Sequence, residues 1–310
     1  MKVVVALPVT EEQKRILGDA APSAEFVYSE PDHVTADEVR DADVLVGMVQ
    51  PEICRCAEKV KWYQANAAGP DKYRKPGVFS HEVTITSAVG AYGPSVGEHM
   101  LALTLAAQKN LGLYRDQQSE RIWKDAGPAG TLYQATVLVL GIGDIGQTYA
   151  RYCSAMGARV IGFRRHVGEV PEGVSEVCTM DRLDEWIPRA DVIAMVLPGG
   201  DSTWHIMNAD RIHHMKKTAV LVNCGRGTAV DCGALAEALH NGQLAGAALD
   251  VTEPEPLPAD HPLWSEPRAI ITPHVAGFFH IPETMNRIIA ITAENLQHFQ
   301  KGEPMRNVMS

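Results

Sequence analysis

The stretch that most restricts this chain is Gly141-Ile142-Gly143-Asp144-Ile145-Gly146. It directly follows the apolar run Thr136–Leu140 and opens a helical pattern reaching about Met156. A short, unbroken, β-branched apolar run reads as a strand buried on both faces, as in a parallel sheet. Each glycine then has a use in a dinucleotide-binding turn. Gly141 permits the tight turn, Gly143 lets a pyrophosphate approach the backbone, and Gly146 lets helix and strand pack closely. Free N–H groups at the helix start suit phosphates. Alone the pattern is weak, and a glycine-rich turn would also fit it. With the strand before it, the helix after it and a second strand at Arg159–Phe163, the dinucleotide reading prevails.

A β-α rhythm runs on both sides of this turn. Residues 3–6, 44–46 and 62–65 read as strands, with helices at 11–18 and 52–59 between them. A loop-rich stretch follows from 67 to 93, broken by glycine and proline. Pro94 opens a long apolar helix through Gln108, where a first-turn proline costs nothing. After the glycine turn, strands are expected at 192–197, 220–223, 245–250 and 269–272. Asp231 can cap the helix ending near His240. The tail from Pro282 to about Lys301 is one amphipathic helix with no strand of its own, expected to pack on the first domain. The fold class is therefore α/β with two doubly wound parallel sheets, and 310 residues suffice for two cores.

Composition removes several classes of function. A formal net charge of −10 argues against nonspecific binding to nucleic acid or anionic membranes. No apolar stretch approaches the length of a bilayer span, and the start is too short for a signal-peptide core, so a cytoplasmic protein is expected. The six cysteines are scattered; Cys54-Arg55-Cys56 has no partner pair and is not zinc spacing, so no metal site is expected. They read as mostly buried free thiols; Cys224 falls near the expected site, open to alkylators by position, though nothing beside it marks it as a nucleophile.

At the turn after Arg159–Phe163, an acidic residue would bind the ribose hydroxyls of NAD. The sequence there is Gly162-Phe163-Arg164-Arg165-His166, with no acid. A carboxylate would repel the 2′-phosphate of NADP, and arginine attracts it. Arg164 and Arg165 could instead be solvated surface groups. Position and the missing acid together favour NADP(H), with NAD(H) kept as an alternative.

Ligands of open parallel sheets bind beyond the carboxyl ends of the strands. Three polar groups fall there. Arg226 follows Val220–Asn223, Glu255 lies in Val-Thr-Glu-Pro-Glu-Pro-Leu-Pro after Asp250, and His274 follows Ile271-Thr272-Pro273. Arginine grips a carboxylate in two places, and histidine moves a proton near neutral pH. A paired carboxylate favours the imidazolium and orients it. Singly, Arg226 could be a surface ion-pair partner, Glu255 a solvated loop residue and His274 a satisfied core histidine. Together on a dinucleotide fold they read as a catalytic set.

These residues carry a resemblance. Gly-Ile-Gly-Asp-Ile-Gly, Val222-Asn-Cys-Gly-Arg-Gly227, Ala248-Leu-Asp-Val251, Glu255-Pro-Leu-Pro258, His261-Pro-Leu-Trp264 and Thr272-Pro-His-Val-Ala-Gly277 resemble the D-isomer-specific 2-hydroxyacid dehydrogenases, glyoxylate/hydroxypyruvate reductases among them. Ser95-Val-Gly-Glu-His99 resembles the start of that family's linker helix. The likeness runs in order over residues 95–277 and is weaker over the first domain.

The resemblance implies a flavodoxin-like substrate-binding domain at 1–97 and 277–310. A Rossmann cofactor domain at 98–276 would be inserted in it. It implies a homodimer with residues 111–130 as the contact arm, and NAD(P)H-dependent reduction of a small 2-keto acid to a D-2-hydroxy acid. In it, Arg226 would hold the substrate carboxylate, protonated His274 would donate the proton, and Glu255 would hold His274 protonated. Cofactor contacts would come from Gly141, Gly143, Asp144, Ile145, Gly146, Arg164, Arg165, Leu197, Pro198, Thr203, Cys224, Asp250, His274 and Gly277. Substrate contacts would come from Met48, Ala68, Gly69, Arg226 and His274. Tyr92 and Trp264 would shape the pocket or serve only in packing.

Ala67-Ala68-Gly69-Pro70-Asp71 and Gly90-Ala91-Tyr92-Gly93 depart from the family pattern on the substrate side. A formate dehydrogenase would need glutamine at Glu255, and a phosphite dehydrogenase a lysine near Ala68. A nucleotide-sensing, corepressor-like binding protein on the same scaffold is the reading from another class.

Overall fold

A computed structural model describes residues 1–309 and divides the chain into two compact units, Met1–Tyr92 with the segment from Phe279 onward, and Gly93–Phe278.

In the first unit, strands β1 (Lys2–Ala6), β2 (Glu25–Tyr28), β3 (Val44–Gly47), β4 (Trp62–Gln64) and β5 (Thr84–Thr86) form one parallel sheet in the order β2-β1-β3-β4-β5. That is the flavodoxin-type winding, which reverses direction between β1 and β3. β1 and β3 are apolar because helices cover both faces; Val3, Val4, Val5, Leu45 and Val46 are fully buried. Helix Glu11–Ala20 starts in a reciprocal Thr10/Gln13 capping box.

The helix Pro282–Lys301 closes this unit. Gln13 Nε2 donates to Asn286 Oδ1 at 2.8 Å, and the Trp62 and Phe299 rings lie 5.4 Å apart. Buried Asn295 donates from Nδ2 to Gln64 Oε1 (2.9 Å) and to the Arg306 carbonyl (3.1 Å), while its Oδ1 accepts from the Arg306 N–H (2.7 Å). Val308 then bridges Thr86 in an antiparallel pair.

The second unit holds β6 (Thr136–Leu140), β7 (Arg159–Phe163), β8 (Glu176–Cys178), β9 (Val192–Met195), β10 (Val220–Asn223), β11 (Gly246–Leu249) and β12 (Ala269–Ile271). All pair in parallel, in the order β12-β11-β10-β9-β6-β7-β8. The order reverses between β6 and β9, as in Rossmann folds. Helix Gly93–Gln108 packs against helix Asp144–Ala155 and strands β10, β11 and β12. Thr104 Oγ1 meets Tyr149 Oη across that contact at 2.8 Å. Asp231 caps helix Cys232–His240 by accepting from the Ala234 N–H.

Two readings need correction. The helix expected at 52–59 spans only Pro51–Cys54, because the chain must turn back early: Glu58 N–H donates to Arg40 O and Lys61 N–H to Asp43 O, feeding β4. The stretch 67–93 is not structureless, since it contains the short helical turn Asp71–Arg74 and β5. No helix among the described residues is long and apolar enough to cross a membrane.

Candidate active site

The glycine turn is built by exclusion. A Cβ on Gly141 (φ +101°) would stand 2.8 Å from the Val196 carbonyl, and one on Gly146 would stand 1.9 Å from the Gly141 carbonyl. Both contacts are with backbone that cannot move aside. Gly143 differs, since a Cβ there would meet nothing within 4 Å. Space therefore lies open above its backbone, and helix Asp144–Ala155, with Gly143 as N-cap, has no side-chain cap on its first-turn N–H groups. Uncapped donors beside open space fit a pyrophosphate.

The loop after β9 packs against this turn. A Cβ on Gly225 would strike Leu197 N and O at 2.7 and 2.8 Å, so Val196 and Leu197 lie beside both the Gly141 turn and the start of the Arg226 segment. The Thr203 hydroxyl lies within hydrogen-bond distance of the Pro198 and Gly200 carbonyls (2.8 and 3.0 Å) and closes the loop. At the end of β7, Arg164 is half-buried and its Nη2 donates to the Glu169 carbonyl at 2.7 Å, whereas Arg165 is exposed.

Three adjacent strands carry the expected catalytic residues at their carboxyl ends: Arg226 after β10, Glu255 after β11 and His274 after β12. Asn223 shapes the first segment. Its Nδ2 donates to the Arg226 carbonyl (2.9 Å) and its Oδ1 accepts from the Gly225 N–H (3.0 Å). Arg226 Nη1 donates to the Gly225 carbonyl at 3.0 Å. Gly227 is forced, because a Cβ there would lie 1.8 Å from the Thr252 carbonyl. That contact docks the arginine segment on the loop that carries Glu255.

His274 Nδ1 lies 2.5 Å from Glu255 Oε1, and both side chains are about half exposed. His274 holds a left-handed backbone (φ +53°), with its N–H donating to the Asp250 carbonyl at 2.8 Å. Beneath it, buried Asp250 accepts from Thr272 Oγ1 (2.6 Å) and the Val275 N–H (3.0 Å) at Oδ1, and from the Ala276 N–H (3.0 Å) at Oδ2. His99 Nε2 stands 3.1 Å from Thr272 Oγ1 and 3.6 Å from Asp250 Oδ1. Asp250 thus ties down the turn that presents His274. Gly277 follows that turn.

Sequence reasoning passed over Asn223 and His99. The only signal for them lay in the motifs Asn-Cys-Gly-Arg-Gly and Ser-Val-Gly-Glu-His. Cys224 also differs from expectation. It is half-buried, and burial first, then the Asp250 charge, push its thiol well above the ordinary range, so it is a poor nucleophile.

In the first unit, Met48 follows β3, and Ala68 and Gly69 lie in the segment after β4, all half-buried. Buried Tyr92 donates from its hydroxyl to the Asn66 carbonyl at 2.5 Å and so steadies that segment. Trp264, about half exposed, donates from Nε1 to the Pro258 carbonyl at 2.8 Å. No group of three or more His, Cys, Asp or Glu side chains among the described residues is arranged to hold a metal.

Residues 101–276 match the NAD-binding domain of the D-isomer specific 2-hydroxyacid dehydrogenases. The chain is 31% identical to a glyoxylate reductase of Korarchaeum cryptofilum, over 89% of this chain and 85% of that one. Among solved structures it resembles a D-isomer specific 2-hydroxyacid dehydrogenase family protein of Aeromonas salmonicida, with a TM-score of 0.87 and 31% identity over 100% of this chain and 98% of that one. It also resembles an NADPH-dependent glyoxylate/hydroxypyruvate reductase of Sinorhizobium meliloti solved with NADP and sulfate, with a TM-score of 0.82 and 27% identity over 100% and 98%.

Proposed function

This chain belongs to the D-isomer specific 2-hydroxyacid dehydrogenases, a family of NAD(P)-dependent oxidoreductases, and from that premise we propose that it reduces a small 2-keto acid to the D-2-hydroxy acid with NADPH. The observation that carries the reading is the delivery of Arg226, Glu255 and His274 from three neighbouring strand ends of a nucleotide-binding sheet, with His274 already paired to Glu255.

Gly141, Gly143, Asp144, Ile145 and Gly146 would hold the dinucleotide pyrophosphate at the uncapped helix start. Leu197, Pro198, Thr203 and Cys224 would line its path, with Gly277 at its edge. A bound reduced nicotinamide would supply the hydride to the carbonyl carbon. Arg226 grips the substrate carboxylate and polarises the carbonyl oxygen. His274, held at Nδ1 by Glu255, gives its other ring proton to that oxygen, which becomes the hydroxyl. By the family resemblance, the first unit would offer the backbone N–H groups of Ala68 and Gly69, and the Met48 side chain, as its substrate contacts. Asp250 takes two donors at Oδ1 and one at Oδ2, and so holds the His274 turn; the capacity left at Oδ2 would accept from the nicotinamide side of the cofactor.

The preference for NADPH rests on Arg165, exposed at the end of β7 with no acid beside it, and on the NADPH dependence of the Sinorhizobium relative. The homodimer reading rests on the arm at 111–130, where Leu111, Ile122 and Trp123 are exposed. Glyoxylate and hydroxypyruvate are the proposed substrates, in keeping with relatives named glyoxylate reductase.

The test is consumption of NADPH and NADH with glyoxylate, hydroxypyruvate, pyruvate and phenylpyruvate. Losing a two-point, charge-assisted grip costs about 3 kcal/mol, so Arg226→Ala should lower kcat/KM roughly 100-fold. Tight NADPH binding without turnover of any keto acid would sink the proposal and favour the nucleotide-sensing reading.

A further inference from the structure

Two residues before Glu255, a second carboxylate makes the same kind of bond. Glu253 Oε2 lies 2.5 Å from His205 Nε2. The segment Glu253-Pro254-Glu255-Pro256 therefore presents two carboxylates to two imidazoles. One imidazole comes from the loop after β9 and the other from the loop after β12. The two pairs differ in shelter. His205 and Glu253 side chains are 24% and 32% exposed, against 50% and 42% for His274 and Glu255. The less solvated pair is the less screened and the better anchor.

His205 is also fixed on its own side. Its N–H donates to the Thr228 carbonyl at 2.7 Å, and its ring stacks on Trp204 at 3.9 Å and 13°. Its backbone sits at φ +43°, a conformation that a non-glycine residue keeps only when its surroundings hold it. Glu253 is steadied by its own N–H against Cys232 Sγ at 3.5 Å, and Thr252 Oγ1 donates to the Pro254 carbonyl at 2.9 Å.

We propose that His205 and Glu253 are a positioning pair that fixes the Glu253-Pro254-Glu255-Pro256 segment so that Glu255 stands beside His274. The role assigned to His274 above is the one this inference rests on. Neither His205 nor Glu253 touches substrate; they act through Glu255.

The test compares three variants. His205→Asn tolerates the left-handed backbone but is too short to reach Glu253. His205→Gln offers an N–H at about the reach of Nε2. Glu253→Ala breaks the contact from a residue without that backbone constraint. A misplaced catalytic partner costs roughly 10- to 100-fold, so His205→Asn and Glu253→Ala should lower kcat by about that much. The KM for the keto acid and the NADPH Kd from fluorescence titration should stay within about twofold. His205→Gln should keep kcat within about threefold of wild type. Wild-type kcat in His205→Asn and Glu253→Ala, a loss confined to NADPH affinity, or failure of glutamine to rescue would each overturn the proposal.

Proton NMR decides the point without turnover, through the deshielded imidazole protons of the two pairs. Glu255→Ala assigns the His274 proton by removing it, and His205→Asn should remove both. If wild type reduces no keto acid, the proposed function falls while these resonances still decide the positioning role. Survival of the His274 proton in His205→Asn overturns it.

Discussion

Replacing Asp250 by asparagine tests whether the proposed proton donor is held from below. The side chain is 2% exposed and accepts from Thr272 Oγ1, Val275 N–H and Ala276 N–H. Asparagine keeps one acceptor oxygen. With that oxygen at the Oδ1 position, the first two bonds survive as neutral ones, each weaker by about 1 kcal/mol. The new amide then faces the Ala276 N–H, donor against donor, and a buried unpaired N–H costs about 1–3 kcal/mol. Relief from burying a charge offsets part of this, leaving a net loss of about 2–4 kcal/mol. For a unit of this size, calorimetry should show the transition lowered by roughly 5–15 °C. The kcat for keto-acid reduction should fall with it, because the weakened bonds shape the turn presenting His274. An unchanged transition with an unchanged kcat would refute this.

Three further outcomes follow from the geometry. Gly146→Ala puts a methyl 1.9 Å from the Gly141 carbonyl; overpacking against backbone should cost about 3 kcal/mol or more and yield insoluble or nucleotide-blind protein, checked by solubility and NADPH titration. Arg165→Ala should reduce the NADPH-over-NADH ratio of kcat/KM about tenfold, and Arg164→Ala less, since the Arg164 guanidinium is already engaged by the Glu169 carbonyl. Burial pushes the Cys54 and Cys153 thiols up to about 12 and raises Cys224. At pH 8 only about one in 10,000 of a thiol titrating near 12 is thiolate, so iodoacetamide followed by mass spectrometry should label half-buried Cys56 first and Cys224 late.

The central strands were legible because they are wrapped on both faces and so read as unbroken apolar runs. The three strands that escaped, β2, β5 and β8, all lie at sheet edges. An edge strand is partly solvated: Glu25-Phe-Val-Tyr28 contains no fully buried residue, and Thr84-Ile-Thr86 and Glu176-Val-Cys178 carry no apolar run longer than two. Within the site, Arg226, Glu255 and His274 were visible because each sits in a distinctive motif at a strand end. The groups that steady them were not. His99 meets Asp250 from a helix 151 residues earlier, and His205 meets Glu253 across 48 residues, distances at which no local spacing announces a contact. Short-range periodicity reports which face of an element is covered; it is silent on which distant polar group completes a partner.

The closing helix Pro282–Lys301 carries a consequence for how the protein is made. Residues 93–278 emerge from the ribosome as one contiguous unit and can fold as soon as they are clear. The first sheet emerges earlier but lacks Asn286, Asn295, Phe299 and Val308, the residues that engage Gln13, Gln64, Trp62 and Thr86. At ordinary translation speeds it waits on the order of 10–40 s with its apolar flank bare. Of the two units, the one whose strands emerge earlier is thus the one completed later, and during that interval it is the one with more need of a chaperone.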